Sequence, residues 1–216
     1  MIKAFIFDLD GVIVDTAKYH FIAWRRMANA VGSDFTEEEN EKLKGVSLDL
    51  ILEWGGVEKT VAEKQELATQ KNEWYREYIL KMDDSEILEG ILPFLDAAEA
   101  QGLKLAVGSS SKNATTILEQ IGLKDRFEVI IDGNKLTRSK PDPQVFEMGA
   151  EAMGLKPNEC VVFEDAEKGV DAALSGGFYA VGVGGDNLKH AHHVVPDFTN
   201  LTPNDILQAL PAAAIQ

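Results

Sequence analysis

The run Ala4-Phe5-Ile6-Phe7-Asp8-Leu9-Asp10-Gly11-Val12 decides the fold class and points to the chemistry. Its first four residues are apolar and include two aromatic rings, which is typical of a buried β-strand. Asp8 and Asp10 follow at once, although aspartate is depleted within strands, and Gly11 favours a turn. We therefore expect both carboxylates at the carboxyl end of a first strand. An isolated Asp-x-Asp is usually only a solvated turn, so the rest of the sequence must decide between the two interpretations.

Short apolar runs recur along the chain, and helical patterns separate the later ones. The predicted strands lie at residues 4–7, 103–107, 128–131, 160–163 and 179–183. Alternation of strand and helix from about residue 88 onward predicts a doubly wound α/β fold, with a parallel sheet and helices on both faces. We interpret His190, His192 and His193 as a loop, because no further metal ligands stand near them in sequence.

The segment between the first two predicted strands has no strand pattern. Two stripes at helical spacing run through it: Ala17, Phe21, Trp24, Ala28 and Val31, then Leu67, Lys71, Trp74, Tyr78 and Met82. We expect a helical cap domain at residues 15–87, inserted into an α/β core of residues 1–14 and 88–216. Such an insert would lie above the carboxyl ends of the strands, where open α/β sheets bind ligands. An additional helical layer without a role at the site is the simpler alternative.

Polar clusters also follow or stand near other predicted strands, so we expect them to lie together at the carboxyl ends of the strands. Gly108-Ser109-Ser110-Ser111 and Glu164-Asp165 each follow a strand, and Lys140 precedes a helix. These residue types suit phosphoryl transfer, because a carboxylate such as Asp8 can attack phosphorus. Mg²⁺ would offset the neighbouring carboxylates, while lysine and serine hold the phosphoryl oxygens.

Composition and charge exclude several classes of protein. The chain has 216 residues, 45% hydrophobic and 26% charged, which is ordinary for a globular protein. Its formal net charge of −15 disfavours nucleic acid as a partner. A single cysteine, Cys160, forms no intrachain disulfide, and no apolar run is long enough to span a membrane. We therefore expect a cytoplasmic protein without a membrane or nucleic-acid partner.

Four motifs in order, Asp8-Leu9-Asp10-Gly11-Val12, Ser109, Lys140-Pro141 and Glu164-Asp165, resemble those of the haloacid dehalogenase-like phosphotransferases. That superfamily also has a helical cap after its first strand, so the resemblance spans the chain. A narrower resemblance, to the β-phosphoglucomutase family, rests on further segments: Thr16, Tyr19-His20, Ala23-Trp24, Leu43-Lys44-Gly45-Val46-Ser47, Lys71-Asn72 and Ser109 to Asn113. It implies a monomeric isomerase of β-glucose 1-phosphate and glucose 6-phosphate, with glucose 1,6-bisphosphate as intermediate or activator.

The resemblance also implies a role for each matching residue. Asp8 would be the nucleophile and Asp10 the general acid and base. Ser109 and Lys140 would hold the transferring phosphoryl group. Magnesium would be bound by Asp8, Glu164, Asp165 and the main-chain carbonyl of Asp10. The remaining expected substrate and cap residues are Thr16, His20, Lys44, Gly45, Ser47, Lys71, Ser111, Lys112 and Asn113.

One position departs from the mutase pattern. Leu48 stands where that pattern has an arginine that binds the distal phosphate of the sugar. A charged hydrogen bond of roughly 1.5–3 kcal/mol would then be missing. This favours an alternative function, a sugar-phosphate phosphatase on the same scaffold. A third interpretation, a receiver-type signalling module, also uses clustered aspartates, but the long insert and the second aspartate of Asp8-Leu9-Asp10 disfavour it.

Overall fold

The computed structural model describes residues 1–42 and 48–211. The chain divides into two compact units, one formed by Met1–Asp15 with Asp83–Gln216 and the other by Thr16–Met82. We call the first the α/β unit and the second the helical unit. Within the described residues, no helix is both long and apolar enough to cross a membrane.

The α/β unit is built on a parallel sheet. Its strands are β1 (Ala4–Phe7), β2 (Lys104–Gly108), β3 (Val129–Ile131), β4 (Cys160–Glu164), β5 (Tyr179–Val183) and β6 (His193–Val195). Their order is β3-β2-β1-β4-β5-β6, and every neighbouring pair is parallel. The predicted parallel α/β fold is confirmed. The prediction of a loop at residues 190–193 is wrong at its last residue, because His193 begins β6 and pairs with Val181 of β5.

Burial on both faces explains why β1 forms at the centre of the sheet. All four of its side chains are fully buried. Phe7 lies opposite Val107 of β2 and Phe163 of β4, and its ring stacks on that of Phe163 with centroids 4.9 Å apart. A continuous apolar strand of this kind is typical of a parallel sheet that is covered on both sides.

Helices flank the strands in the order of the chain. Those of the helical unit are α1 (Ala17–Ala30), α2 (Glu37–Lys42), α3 (Leu48–Trp54) and α4 (Val61–Ile79), and those of the α/β unit are α5 (Ile91–Ala100), α6 (Ala114–Gln120), α7 (Gln144–Ala152), α8 (Glu167–Ser175) and α9 (Pro203–Ala209). The two segments by which the chain leaves and re-enters the α/β unit lie side by side. The Leu88 N–H of one donates to the Ile13 carbonyl of the other at 2.9 Å.

In the helical unit α1 packs against α4, and a small core joins Phe21 and Ala28 of α1 to Phe35 and to Ile51 of α3. A capping box starts α4: the Glu63 N–H donates to Thr60 Oγ1 at 3.3 Å, and the Thr60 N–H donates to Glu63 Oε2 at 2.8 Å. The predicted stripe of α4 is partly wrong, because its buried residues are Lys71, Tyr75 and Ile79. Trp74 and Tyr78 are half-buried beside that row. The Arg26 guanidinium of α1 lies over the Trp74 ring, and Tyr19 of α1 stacks on Tyr78.

Candidate active site

Three strands of the sheet place acidic and hydroxyl side chains together at the carboxyl ends of the strands. Asp8 follows β1, Ser109 follows β2, and Glu164 is the last residue of β4. The Asp8 N–H donates to the Phe163 carbonyl at 2.9 Å, and the Ser109 N–H donates to the Ile131 carbonyl at 2.9 Å. These main-chain bonds extend the parallel ladder by one residue. Asp8, Ser109 and Glu164 are therefore buried residues at fixed positions, each exposed by 8% or less.

Lys140 joins this cluster from the loop before α7. Its Nζ lies 2.8 Å from Asp8 Oδ1 and also forms an ion pair with Glu164. The same Nζ lies 3.4 Å from the Gly108 carbonyl and 4.9 Å from the centre of the Phe146 ring. Burial acts to lower the pKa of Lys140, but the charges of Asp8 and Glu164 outweigh burial and raise that pKa above its ordinary value. Lys140 is therefore a fixed cation beside the predicted nucleophile.

Negative charge is in excess around this lysine. Carboxylate oxygens of Asp8, Glu164 and Asp165 lie within 4.8 Å of one another. Burial and the charge of Asp8 raise the pKa of Glu164 to about 8, despite the ion pair with Lys140. The same two causes raise the pKa of Asp165 to about 6. A second positive centre is what such a cluster lacks, and three converging carboxylate oxygens are hard ligands of the kind that Mg²⁺ prefers.

Two glycines leave room for these carboxylates. A Cβ atom at Gly11, whose φ is +75°, would lie 2.1 Å from Asp165 Oδ2, and one at Gly169 would lie 2.0 Å from Glu164 Oε1. Neither distance is compatible with a side chain unless the carboxylate moves. Gly169 lies in the first turn of α8, which packs on β4. The close approach of this turn therefore holds Glu164 against Lys140, and it is a contact that the sequence analysis missed.

The loop after β2 is held by its own hydroxyl groups. Ser109 Oγ accepts from the Ser111 N–H at 3.1 Å, and Ser111 Oγ accepts from the Asn113 N–H at 3.2 Å. Asn113 precedes α6. Lys112, between Ser111 and Asn113, is exposed, and its carbonyl accepts from the Asn134 amide at 2.8 Å. Asp10 is half-buried in the turn after β1, where its main chain bridges to Val14.

Within the helical unit, the predicted residues His20 and Lys71 are direct neighbours. Lys71 Nζ lies 3.2 Å from His20 Nδ1. The His20 ring stacks on Tyr75 with centroids 4.0 Å apart, and the Tyr75 hydroxyl donates to Thr16 Oγ1 at 3.4 Å. Desolvation and the charge of Lys71 lower the pKa of His20 to about 4, so the imidazole is neutral at pH 7 and Nδ1 can accept from Lys71. Tyr75, which connects these residues, was not predicted.

Lys71 is buried among aromatic rings. Its Nζ lies 4.5 Å from the centre of the Trp24 ring and 5.6 Å from that of Tyr75. Burial lowers the pKa of Lys71 to about 8. Lys71 also lines a cleft of about 660 Å³ that Trp24, Leu48, Lys64 and Asn72 border. Leu48 is half-buried there at the start of α3, whereas the predicted Lys44, Gly45 and Ser47 lie outside the described residues.

Comparison of the sequence with known proteins agrees with the geometry of this site. The haloacid dehalogenase-like hydrolase family matches residues 5–183, a range that contains Asp8, Ser109, Lys140, Glu164 and Asp165. The chain belongs to this family. Within it, a β-phosphoglucomutase of Bacillus subtilis is 42% identical over 207 residues, which cover 93% of this chain and 92% of that protein. A phosphorylated carbohydrates phosphatase of Thermotoga maritima is 32% identical over 184 residues, covering 81% and 82%.

A solved structure of the haloacid dehalogenase-like fold extends this likeness to three dimensions. The crystal structure of a β-phosphoglucomutase from Clostridium difficile matches with a TM-score of 0.84 and 41% identity, and the match covers 97% of each chain. The resemblance predicted from the motifs is therefore confirmed, both for the haloacid dehalogenase-like family and for its β-phosphoglucomutases.

Proposed function

We propose that this protein is an isomerase that interconverts β-glucose 1-phosphate and glucose 6-phosphate by phosphoryl transfer through Asp8. The observation that carries the proposal is the ion pair of 2.8 Å between Lys140 Nζ and Asp8 Oδ1, set among further carboxylates at the ends of parallel strands. Similarity to β-phosphoglucomutases over almost the whole chain supports the choice of substrate class.

In the proposed reaction, an Asp8 oxygen forms a bond to one phosphorus of bound glucose 1,6-bisphosphate, the bond from that phosphorus to the sugar oxygen breaks, and glucose 6-phosphate leaves. Asp10 gives its proton to the leaving sugar oxygen as general acid. In the second half, Asp10 takes a proton from the accepting hydroxyl, whose oxygen attacks the aspartyl phosphate and frees Asp8. The accepting hydroxyl of the second half belongs to β-glucose 1-phosphate, which thereby becomes the next bisphosphate. Lys140 and Ser109 hold the transferring oxygens, because a fixed cation and donor hydroxyl stabilise the charge that develops there.

We propose Mg²⁺ as the cofactor. Asp8, Glu164 and Asp165 would hold it with the main-chain carbonyl of Asp10, and the raised pKa values of Glu164 and Asp165 support a site that lacks positive charge. When bound, Mg²⁺ would neutralise the carboxylates and polarise the phosphoryl oxygens.

The remaining substrate contacts are proposed on the likeness to mutases. Glucose 1,6-bisphosphate would be the intermediate, and Ser111, Lys112 and Asn113 would bind its distal phosphate. Thr16, His20, Lys44, Gly45, Ser47 and Lys71 would contribute to sugar binding and to closure of the helical unit as a cap. We also propose a monomer. The free, buried thiol of Cys160 supports the proposal of a cytoplasmic protein, because cysteines stay reduced there.

A phosphatase is the second candidate, and two observations favour it. Leu48 takes the place of an arginine, and a phosphatase of phosphorylated carbohydrates is among the relatives at 32% identity. Water rather than a sugar hydroxyl would then attack the phosphate on Asp8.

Product analysis separates the two functions. The protein is incubated with Mg²⁺, β-glucose 1-phosphate and a catalytic amount of glucose 1,6-bisphosphate, and glucose 6-phosphate and free phosphate are both measured. We expect glucose 6-phosphate to form in large excess. Stoichiometric release of glucose and phosphate would instead assign the protein as a phosphatase.

A further inference from the structure

Ser109, which the proposed function places against the transferring phosphoryl group, has its hydroxyl oriented by the main chain. Its Oγ accepts from the Ser111 N–H at 3.1 Å. A serine hydroxyl has two lone pairs and one hydrogen, and this bond occupies one of the lone pairs. The hydroxyl hydrogen therefore points away from the Ser111 N–H and can donate to another oxygen. The direction of that N–H depends on the peptide group that joins Ser110 to Ser111.

The turn after β3 packs on the other side of this peptide group. A Cβ atom at Gly133 would lie 2.2 Å from the Ser110 carbonyl oxygen. An ordinary contact begins at 3.4 Å, so a side chain at this position would push the carbonyl back by roughly 1 Å. The C=O and N–H of a trans peptide point in opposite directions, so a displaced carbonyl also turns the N–H that Ser109 accepts from. Glycine is the residue that permits so close an approach.

Hydrogen bonds hold the turn and the loop after β2 in this register. The Gly133 N–H donates to the Ser111 carbonyl at 3.0 Å, and the Asn134 side-chain amide donates to the Lys112 carbonyl at 2.8 Å. The buried residue Asp132 steadies the turn, because its carboxylate accepts from the Asn134 N–H at 3.0 Å. The loop is therefore tied to the turn at two successive carbonyl groups.

We propose that Gly133 is a positioning residue for phosphoryl transfer and acts through the hydroxyl of Ser109. Its close packing on the Ser110 carbonyl keeps the N–H of the same peptide group aimed at Ser109 Oγ, which leaves the hydroxyl hydrogen to donate to the transferring oxygens. The inference rests on the proposed transfer through Asp8, in which Ser109 stabilises the charge that develops on those oxygens.

A double-mutant cycle tests the proposal. Gly133→Ala is made in the wild type and in Ser109→Ala. Gly149→Ala is the control, because a Cβ atom there would have its nearest described neighbour at 3.7 Å. The measured step is phosphoryl uptake from acetyl phosphate with Mg²⁺, in which a bond forms between phosphorus and an Asp8 oxygen and acetate leaves. This step needs no sugar, so its outcome does not depend on whether a sugar hydroxyl or water later accepts the phosphoryl group.

We expect Ser109→Ala to lower the maximal rate of uptake roughly 10²- to 10³-fold, and Gly133→Ala to lower it roughly tenfold or more. The KM for acetyl phosphate should stay within about threefold in both variants, because the hydroxyl acts mainly in the transition state. In the Ser109→Ala background, Gly133→Ala should change the rate by no more than about twofold, because the hydroxyl through which it acts is gone. Gly149→Ala should leave the wild-type rate unchanged.

Equal losses from Gly133→Ala in the two backgrounds would overturn the proposal, because the glycine would then matter only for the integrity of the fold. A full rate in Gly133→Ala would overturn it as well. A wild-type protein that takes up no phosphoryl group would instead contradict the transfer through Asp8, and with it the proposed function.

Asn134→Ala carries the test if circular dichroism shows that Gly133→Ala does not fold. It removes only the side-chain amide of an exposed residue, the group that holds the Lys112 carbonyl, and inserts no atom into the turn. We expect a loss of roughly two- to tenfold, the equivalent of one neutral hydrogen bond, which disappears in the Ser109→Ala background. An unchanged rate, or a loss of the same size in that background, would overturn the proposal.

Discussion

Lys140 and Asp8 are 132 residues apart in the sequence, yet Lys140 Nζ lies 2.8 Å from Asp8 Oδ1. The contact forms because β1 and β4 are adjacent and parallel, so that their carboxyl ends meet the loop before α7. This ion pair joins the predicted nucleophile to a lysine that stays cationic because Asp8 and Glu164 raise its pKa. The predictions below follow from it and from the groups around it.

Asp8→Asn should abolish both turnover and labelling of the protein by a phosphoryl donor, because an amide is a poor nucleophile and a weak Mg²⁺ ligand. Incubation with radiolabelled acetyl phosphate, followed by acid precipitation, measures the label. Asp125→Asn, at an exposed position, is the control and should be labelled like the wild type. Normal labelling of the Asp8→Asn protein would remove Asp8 from the nucleophile role.

Asp10→Ala should lower the turnover of sugar phosphate by roughly 10²–10⁴-fold, the usual contribution of general acid and base catalysis. The proposed metal ligand at this position is the main-chain carbonyl, so the affinity for Mg²⁺ should stay within about threefold of the wild type. Steady-state kinetics and a Mg²⁺ titration together check both statements. An unchanged turnover of sugar phosphate would contradict the acid and base assignment.

Lys140→Met should end phosphoryl transfer and destabilise the metal-free protein by about 3 kcal/mol, because Asp8 and Glu164 lose their buried cation. Saturating Mg²⁺ should recover part of this loss by binding to the same carboxylates. Urea unfolding with chelator and with Mg²⁺ measures both effects. Lys124→Met removes an exposed partner of Glu119 and should leave the free energy of unfolding almost unchanged. Equal losses in the two variants would argue against the buried cluster.

Gly169→Ala should reduce activity and the affinity for Mg²⁺ by roughly tenfold or more, because the new methyl group would displace the Glu164 carboxylate from beside Lys140. Gly149→Ala is the matched control in another helix of the same unit. A Cβ atom there would meet nothing closer than Ile6 Cδ1 at 3.7 Å, which is an ordinary contact. If both alanine variants kept full activity and Mg²⁺ affinity, Gly169 would have no part in holding Glu164.

The burial of Lys71 predicts a rise of stability in alkaline solution. Its pKa is lowered from the ordinary 10.5 to about 8 in the folded protein. Between pH 8 and 10.5 the unfolded chain therefore holds a proton that the folded chain has lost, and the contribution of Lys71 to the free energy of unfolding increases with pH. We expect this contribution to vanish in Lys71→Met. Denaturant unfolding of both proteins at pH 7.5 and pH 10 checks it, and parallel pH profiles would contradict the lowered pKa.

Sequence patterns predicted most of this architecture because each strand, and the site residue that follows it, can be recognised from a few consecutive residues. Asp8 and Ser109 each follow an apolar run that the sheet buries, so their proximity at the carboxyl ends of the strands could be inferred from the expected parallel sheet. His193 was assigned to a loop with His190 and His192 because no further metal ligands stood near them in sequence, and the strand that it begins, β6, has only three residues. The role of Gly169 could not be foreseen, since it depends on how closely α8 approaches Glu164 in space. The contact of His20 with Tyr75 likewise depends on the packing of α1 on α4.

The central place of β1 has a consequence for how the protein loses activity. Both edges of β1 are hydrogen-bonded, to β2 and to β4, whereas β3 and β6 each have one neighbour in the sheet. Local opening of a sheet begins at its edges, and central strands exchange their amide hydrogens only when the whole unit unfolds. We expect the amide of Asp8, which donates to the Phe163 carbonyl, to exchange with this slowest class. Fraying of β6 therefore leaves the nucleophile in register, whereas fraying of β3 would break the hydrogen bond that the Ser109 N–H donates to the Ile131 carbonyl and so impair the site before the α/β unit unfolds.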